Sequence, residues 1–377
     1  MGYEALPIIT GRNEMYKELE KAICNISQSD DEDNDELYFD DLQRSSKKYL
    51  KALPIESNAP LEKIQLDNNI EFLPTKEKTL KILKLTRNKV TSYSYLDMLD
   101  QRFWILYSLD NSVDIKKDIK NLIQKNNSQL DYTWFSSSSL KHLSSGYSKT
   151  RFSIKFNNRF HNANIPMKRL SLQLTAEDAS DIANNLLDNP FIGKGACFSN
   201  IEVLLSDKNN DYVKSRLSMD GSINISRGNS ISNFIEFQQK TIQGHYRPII
   251  ERIENDYSIE YDVNIDGINI KGDILSIKLS TKIENIEFFV HNLLKGTNPF
   301  RFLGFSNIID DEHILVDVLD LHNFGHFDLE IFPDELLINL PKGSCGNSIV
   351  RLFTLCQENI DPKAKLIGGS GDAIIPA

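Results

Sequence analysis

The sequence predicts an α+β protein: a helical N-terminal domain followed by a mostly antiparallel sheet with interspersed helices. Three observations predict it. Apolar residues near the N-terminus recur at helical spacing. After about residue 146 the pattern changes to alternation of apolar and polar residues. The alternating runs follow one another through short turns, which favours antiparallel pairing over a doubly wound parallel sheet.

In chain order, Met15, Tyr16, Leu19, Ala22, Ile23 and Ile26 mark a first helix. An acidic loop over 28–41 follows, and a second helix is expected from Leu37 to Leu53, ended by Pro54. Lys76–Lys89 reads as a basic helix. Tyr95–Leu109 and Val113–Lys125 read as two more, the latter with Asn111 or Ser112 as its N-cap. The serine-rich stretch "SSSSLKHLSSGYSK" packs poorly and sets a boundary near residue 146. This gives a helical domain over 1–146 and an α+β domain over 147–366. In the second domain "RFSIKF", "RLSLQL", "NIEVLL", "SIEYDVNI", "INIKGDILSIKLS", "HILVDVLDL" and "FDLEIF" read as strands. Helices are expected at Ala176–Leu187, Ser230–Asn255, Ile283–Leu294 and Asn347–Gln357, and a flexible Gly-rich tail at 367–377.

The 377 residues, 40% hydrophobic and 25% charged, suit a globular chain and exclude fibrous and wholly disordered classes. The net charge of −10 opposes wholesale attraction to phosphate backbones. Eight acids crowd between Asp30 and Asp41, so a local basic surface elsewhere in the N-terminal part is compatible with that total. The four cysteines form no CxxC spacing, which fits a reduced cytoplasmic setting. The N-terminal "MGYEALPIIT" lacks the pattern of a signal peptide, and no apolar run approaches the roughly 20 residues of a membrane span. The expected location is cytoplasmic, away from any membrane.

Three stretches carry candidate chemistry. "VDVLDLHNFGHFDLEIF" reads as a hairpin with the three-residue loop Asn323-Phe324-Gly325, Gly325 being the left-handed residue. That register places His322 opposite His326 and Asp320 opposite Asp328 on one face. Leu319, Leu321, Phe327, Leu329 and Ile331 fall on the other. Two histidines and two carboxylates on one patch can hold a divalent metal or serve acid–base chemistry. The simpler alternative is the solvated face of an amphipathic hairpin.

"LPKGSCGNSIVRL" reads as a strand, a turn and a helix start. Lys342, Gly343, Ser344, Gly346 and Asn347 there form a candidate anion site, and Cys345 a candidate thiolate nucleophile. Its plain alternative is a turn in which Asn347 or Ser344 caps the helix. "TKEKTLKILKLTRNK" places Lys76, Lys78, Lys81, Lys84, Arg87 and Lys89 near aromatic residues. This is a candidate nucleic-acid surface or, more plainly, a solvated face. The acidic run is not an EF-hand, because Glu36 and Leu42 stand where Gly and Glu are required. No GxSxG, HExxH, GxGxxG or Walker A spacing is present, and no cofactor or metal is assigned.

The expected function is a non-catalytic binding or scaffolding subunit of an intracellular prokaryotic multi-protein assembly. A protein partner, nucleic-acid association and antiviral defence are its envisaged setting. The alternative is a metal-assisted or thiol-dependent hydrolase, including a nuclease, using Asp320, His322, His326, Asp328 and Cys345.

Overall fold

The computed structural model describes residues 5–31, 49–157, 160, 169–189, 195–264 and 267–376. The chain divides into two compact units, 1–133 with 202–242 and 134–201 with 243–377.

The first unit is built on a sheet, which corrects the expected helical N-terminal domain. After helix α1 (Arg12–Asp31) the chain forms strands β1 (Leu50–Ser57), β2 (Ile70–Pro74), β3 (Leu80–Arg87), β4 (Val90–Asp97) and β5 (Phe103–Ser108). Helix α2 (Ser112–Lys125) and strand β6 (Leu130–Tyr132) follow. Of the expected helix Leu37–Leu53, residues 37–48 lie outside the described residues and Leu50–Leu53 belong to β1. Most of the expected acidic loop also lies outside them. The expected basic helix at Lys76–Lys89 is a turn and β3, and Tyr95–Leu109 is the end of β4 with β5.

The physical reason is burial on both faces. Every residue of β1 is buried, and in β3 Leu80 and Ile82 are buried as well as Leu83 and Leu85. A strand covered on both sides loses its alternation, and a short apolar run then imitates a helix. The sequence reading of α2 holds: the Asn111 side chain accepts from Val113 N at 2.8 Å and caps it. Ile115, Ile119, Leu122 and Ile123 of α2 pack with Leu53, Ile55, Leu83, Leu85 and Leu106 of the sheet.

Strands β10 (Tyr212–Ser218) and β11 (Ile223–Gly228) and helix α5 (Ile231–Thr241) complete this unit, whose strand order is β2-β3-β4-β5-β1-β11-β10. Strand β9 (Cys197–Ser206) has residues in both units. Helix α1 is tied to β11 by Ser27, whose Oγ donates to the Gly228 carbonyl at 2.6 Å and accepts from Gly228 N at 2.7 Å.

The second unit carries α3 (Ser137–Leu143), the β7 (Ser148–Asn157) and β8 (Arg169–Thr175) hairpin, and α4 (Ser180–Asp188). A π-turn at Ile242–Tyr246 leads into α6 (Arg247–Asp256). Then come β12 (Ser258–Asn264), β13 (Gly267–Lys271), β14 (Leu275–Lys278), α7 (Ile286–Leu293) and β15 (Phe302–Asp310). The unit closes with β16 (His313–Asp320), β17 (His326–Ile331), β18 (Glu335–Pro341), α8 (Asn347–Asn359) and β19 (Lys365–Ile367).

Strands β12 to β19 form a sheet ordered β13-β12-β18-β17-β16-β15, with β14 bridging β18 and β19. All pairs are antiparallel except β12 with β18. Helix α8 is buried on nearly every side, and its buried polar residues Asn347, Arg351, Thr354 and Gln357 are hydrogen-bonded, as interior polar groups must be. Beyond β19 the chain folds back, with Ile374 N donating to the Leu366 carbonyl and Ile374 and Ile375 buried.

Candidate functional site

The β16–β17 hairpin decides which candidate residues meet. Its observed register pairs Ile314 with Ile331, Val316 with Leu329, Val318 with Phe327 and Leu319 with His326. Carried one step further, that register pairs Asp320 with Gly325 and leaves the loop Leu321–Phe324, four residues and not three. It is closed by Asp320 N donating to the Gly325 carbonyl and Phe324 N to the Asp320 carbonyl, both at 2.8 Å. The Asp320 carboxylate accepts from His322 N at 2.9 Å, and the Asn323 side chain accepts from Gly325 N at 2.9 Å. Such local side-chain bonds build a turn without help from glycine. The left-handed residue is Phe324, at φ 57°, not Gly325.

The shift moves Asp320 to the opposite face from the one expected, because side chains alternate with period two. Asp320 points inward with Val316 and Val318. It is fully buried and paired with the fully buried Arg351 of α8. The Arg351 guanidinium lies 5.4 Å over the Trp134 ring. His322 is also buried, its ring edge-on to Trp134, with Nε2 2.7 Å from the Pro299 carbonyl. Burial, and next the Arg351 charge, push the His322 imidazolium down to about pKa 2. His322 is therefore neutral and donates from Nε2. It does not face His326, and the expected four-residue patch does not form.

What the hairpin does assemble is a different trio. Asp317 and Asp328 stand directly opposite each other on the outer face, and His326 projects from the same face two residues before Asp328. All three are exposed, and ligand atoms of the three lie within 4.8 Å of one another. His326 Nδ1 is 3.8 Å from Asp317 Oδ1. Partial burial, then the neighbouring Asp317 charge, raise the Asp328 carboxyl above the usual carboxylate range. Among the described residues this is the one His/Cys/Asp/Glu group whose spacing could hold a cation. His326 and Asp328 belong to the expected set. Asp317 was missed because the three-residue loop puts it on the other face.

The two aspartates border an open depression of about 460 Å³, whose other walls include Ile274, Phe305, Leu315 and Leu337. Across β15–β18 the outer face reads in rows: Leu303, Leu319, His326, then Phe305, Asp317, Asp328, Asn339, then Asn307, Leu315, Glu330, Leu337. Among the described residues strand β15 ends the sheet, and from Phe305 onward its residues are exposed on both faces.

The family enters at this point. A model of MJECL33-like proteins matches residues 4–375. The chain belongs to the MJECL33-like family. It is 26% identical to the MJECL33 protein of Methanocaldococcus jannaschii over 408 aligned positions, covering 96% of this chain and 95% of that one. The match spans both units, and it carries no activity with it.

In this MJECL33-like chain the remaining candidates are placed as follows. Cys345 lies half-buried in the turn between β18 and α8. Gly343 takes φ 87° there, and Ser344 Oγ is 3.3 Å from the His326 carbonyl. The expected anion site already holds a carboxylate of the chain itself: Gly346 N donates to Glu254 Oε1 of α6 at 2.8 Å. Asn347 is buried and accepts from the Tyr246 hydroxyl, so neither it nor Ser344 caps α8, whose N-cap is Gly346. Lys342 is exposed, with its backbone N–H bonded to the Ile259 carbonyl.

The basic candidates do not form one stripe. Lys76 and Lys78 lie in the turn before β3. Lys81 and Lys84, three apart on a strand, point to opposite faces. Lys84 pairs with Glu71 at 2.8 Å, and Arg87 bonds both Asp110 and Asp118. Lys89 sits in the β3–β4 turn at φ 67°. Among the described residues no helix is long and apolar enough to cross a membrane.

Proposed function

We propose that this protein is a binding subunit of a multi-protein assembly and that an extended segment of its partner adds as a strand to the free edge of β15. One observation carries this reading. β15 is a nine-residue edge strand without a lysine or arginine, and its Leu303, Phe305, Ile308 and Ile309 are 41%, 84%, 54% and 50% exposed. Edge strands expose a row of backbone donors and acceptors, and proteins that do not use them shield them with charge, proline or brevity. β15 has a register shift near Ile308, an acid at its end and Gly296 N on its Phe302 carbonyl, and otherwise no such protection among the described residues. Strand addition supplies backbone hydrogen bonds for affinity, while pockets for alternate side chains supply specificity.

The hydrolase alternative is less well supported. Asp320 and His322 are committed to the interior with Arg351, and the anion turn is satisfied by Glu254. A photo-crosslinking residue placed at position 305 in cells of the source organism tests the reading. A discrete adduct is expected from position 305 and none from the exposed position 90 of the first unit. The purified partner should then bind the full chain, and Ser306→Pro, which removes a backbone donor from the edge that faces away from β16, should weaken that binding at least tenfold. Equal adducts from both positions, or binding indifferent to Ser306→Pro, would refute it.

A further inference from the structure

The outer face has a feature that strand addition alone does not require: two aspartates directly opposite each other. Like charges across an antiparallel pair are destabilising, and here His326 at 3.8 Å is the nearest basic group recorded to the Asp317 carboxylate. The aspartates close one side of the 460 Å³ depression, and Phe305 lies between Asp317 and the free edge.

We infer that the segment added to β15 carries an arginine on the outer face, laid across Phe305 with its guanidinium on the Asp317–Asp328 pair. This rests on the strand-addition reading and names the partner's chemistry.

The geometry selects the residue. Neighbouring strands lie about 4.8 Å apart, so a new strand beside β15 stands roughly 10 Å from the strand bearing Asp317. A short cation does not span that distance, whereas an extended arginine reaching toward an aspartate side chain does. The route passes over the Phe305 ring, which is 84% exposed and opposite Asp317 in register. A planar guanidinium stacks on an aromatic face and bonds a carboxylate with two parallel donors. An ammonium does neither as well. Asp310 at the end of β15, Asp311 and Glu312 in the β15–β16 turn and Glu330 on β17 add negative charge around the same surface. The partner's next outward position on one side, beside Leu303, would be apolar, and the one on the other side, beside Asn307, polar.

The test uses the full chain, EDTA in the buffer, and a fluorescein-labelled nine-residue peptide of alternating threonine and valine with one central arginine on the valine face. A second peptide carries norleucine in place of the arginine. Anisotropy should show the arginine peptide binding about tenfold more tightly. That advantage should fall below twofold in Asp317→Asn/Asp328→Asn and shrink in high salt. The charge-matched Asp311→Asn/Glu312→Gln variant should retain most of it.

Equal binding of both peptides, each weakened by Ser306→Pro, overturns the arginine inference while leaving strand addition standing. Binding of neither peptide overturns both. An arginine preference that persists in the double asparagine variant, or appears only after zinc or manganese is added, overturns the assignment of the pair to a guanidinium.

Discussion

Arg351→Met should be among the most damaging single substitutions in the second unit, and the reason lies in its partner. Arg351 and Asp320 have no exposed side-chain surface. Removing the guanidinium leaves a carboxylate in the interior without a counter-charge, which costs about 3–5 kcal/mol. The lost stacking on Trp134 at 5.4 Å belongs to the same site and adds to the cost. The companion variant Asp320→Asn/Arg351→Met removes both charges. Its asparagine oxygen still accepts the His322 N–H that Asp320 accepts at 2.9 Å, and only the new amide group is left to find a partner, at about 1–2 kcal/mol. The double variant should therefore be more stable than the single one by about 2 kcal/mol or more. Hydrogen exchange of amides in α8 and β16 reads this out within the second unit alone. Since about 1.4 kcal/mol is a factor of ten, the single variant should exchange roughly 150- to 5,000-fold faster than the native chain, and the double variant far less. A single variant within about 1 kcal/mol of the native chain, or a double variant no better than the single, would refute the claim that a buried ion pair organises this core.

Two further outcomes follow from neighbouring residues. The buried, neutral His322 has a folded-state pKa of about 2, below its ordinary value. The unfolded chain therefore takes up the proton first, and the stability this group contributes is complete above about pH 6.5 and is lost as pH falls from there toward 2. Its share of the loss is about 1.4 kcal/mol per pH unit, and His322→Gln should flatten that slope by the same amount in acid unfolding of the second unit; an unchanged slope would sink the assignment. Gly304→Ala should loosen the β15–β16 hairpin, because a Cβ at Gly304 would fall 1.9 Å from the Asp317 carbonyl oxygen. Overpacking of this kind costs about 1–3 kcal/mol, so faster exchange of β15 amides is expected, and unaltered exchange would show that the strand shifts freely.

How much of this could be read in the sequence varied with how each element is buried. In the second unit β16 and β17 pack one face and solvate the other, so Ile314, Val316 and Val318 alternate with Leu315, Asp317 and Leu319, and the strands were legible. Helix α2 was legible too, through its apolar stripe and the Asn111 cap. In the first unit the alternation is erased. "LKILKLTR" has leucines at 80 and 83 and lysines at 81 and 84, a helical spacing, yet Leu80 and Leu83 are buried on opposite sides of a sheet. What covers the second face comes from distant sequence, and no local window holds that information.

The site failed at a narrower point, the register of one hairpin. The stretch "DLHNFGHFD" is nearly symmetric about Phe324, and a symmetric string invites a loop centred on its middle. Symmetry of composition exerts no force on pairing. Packing does. A three-residue loop would turn Asp317 inward with Leu319 and set Val318 against Glu330. The four-residue loop instead stacks Ile314 on Ile331, Val316 on Leu329 and Val318 on Phe327. Three apolar cross-strand pairs, two of them β-branched with aliphatic residues, outweigh the cost of placing Phe324 at positive φ. That preference was present in the sequence, in the β-branched residues at 314, 316 and 318. The fate of Asp320 was not, because turning it inward is tolerable only with Arg351 waiting 31 positions along the chain. The register that buries Asp320 is also the one that turns Asp317 outward to meet Asp328, so the core ion pair and the exposed acidic pair are two consequences of a single loop length.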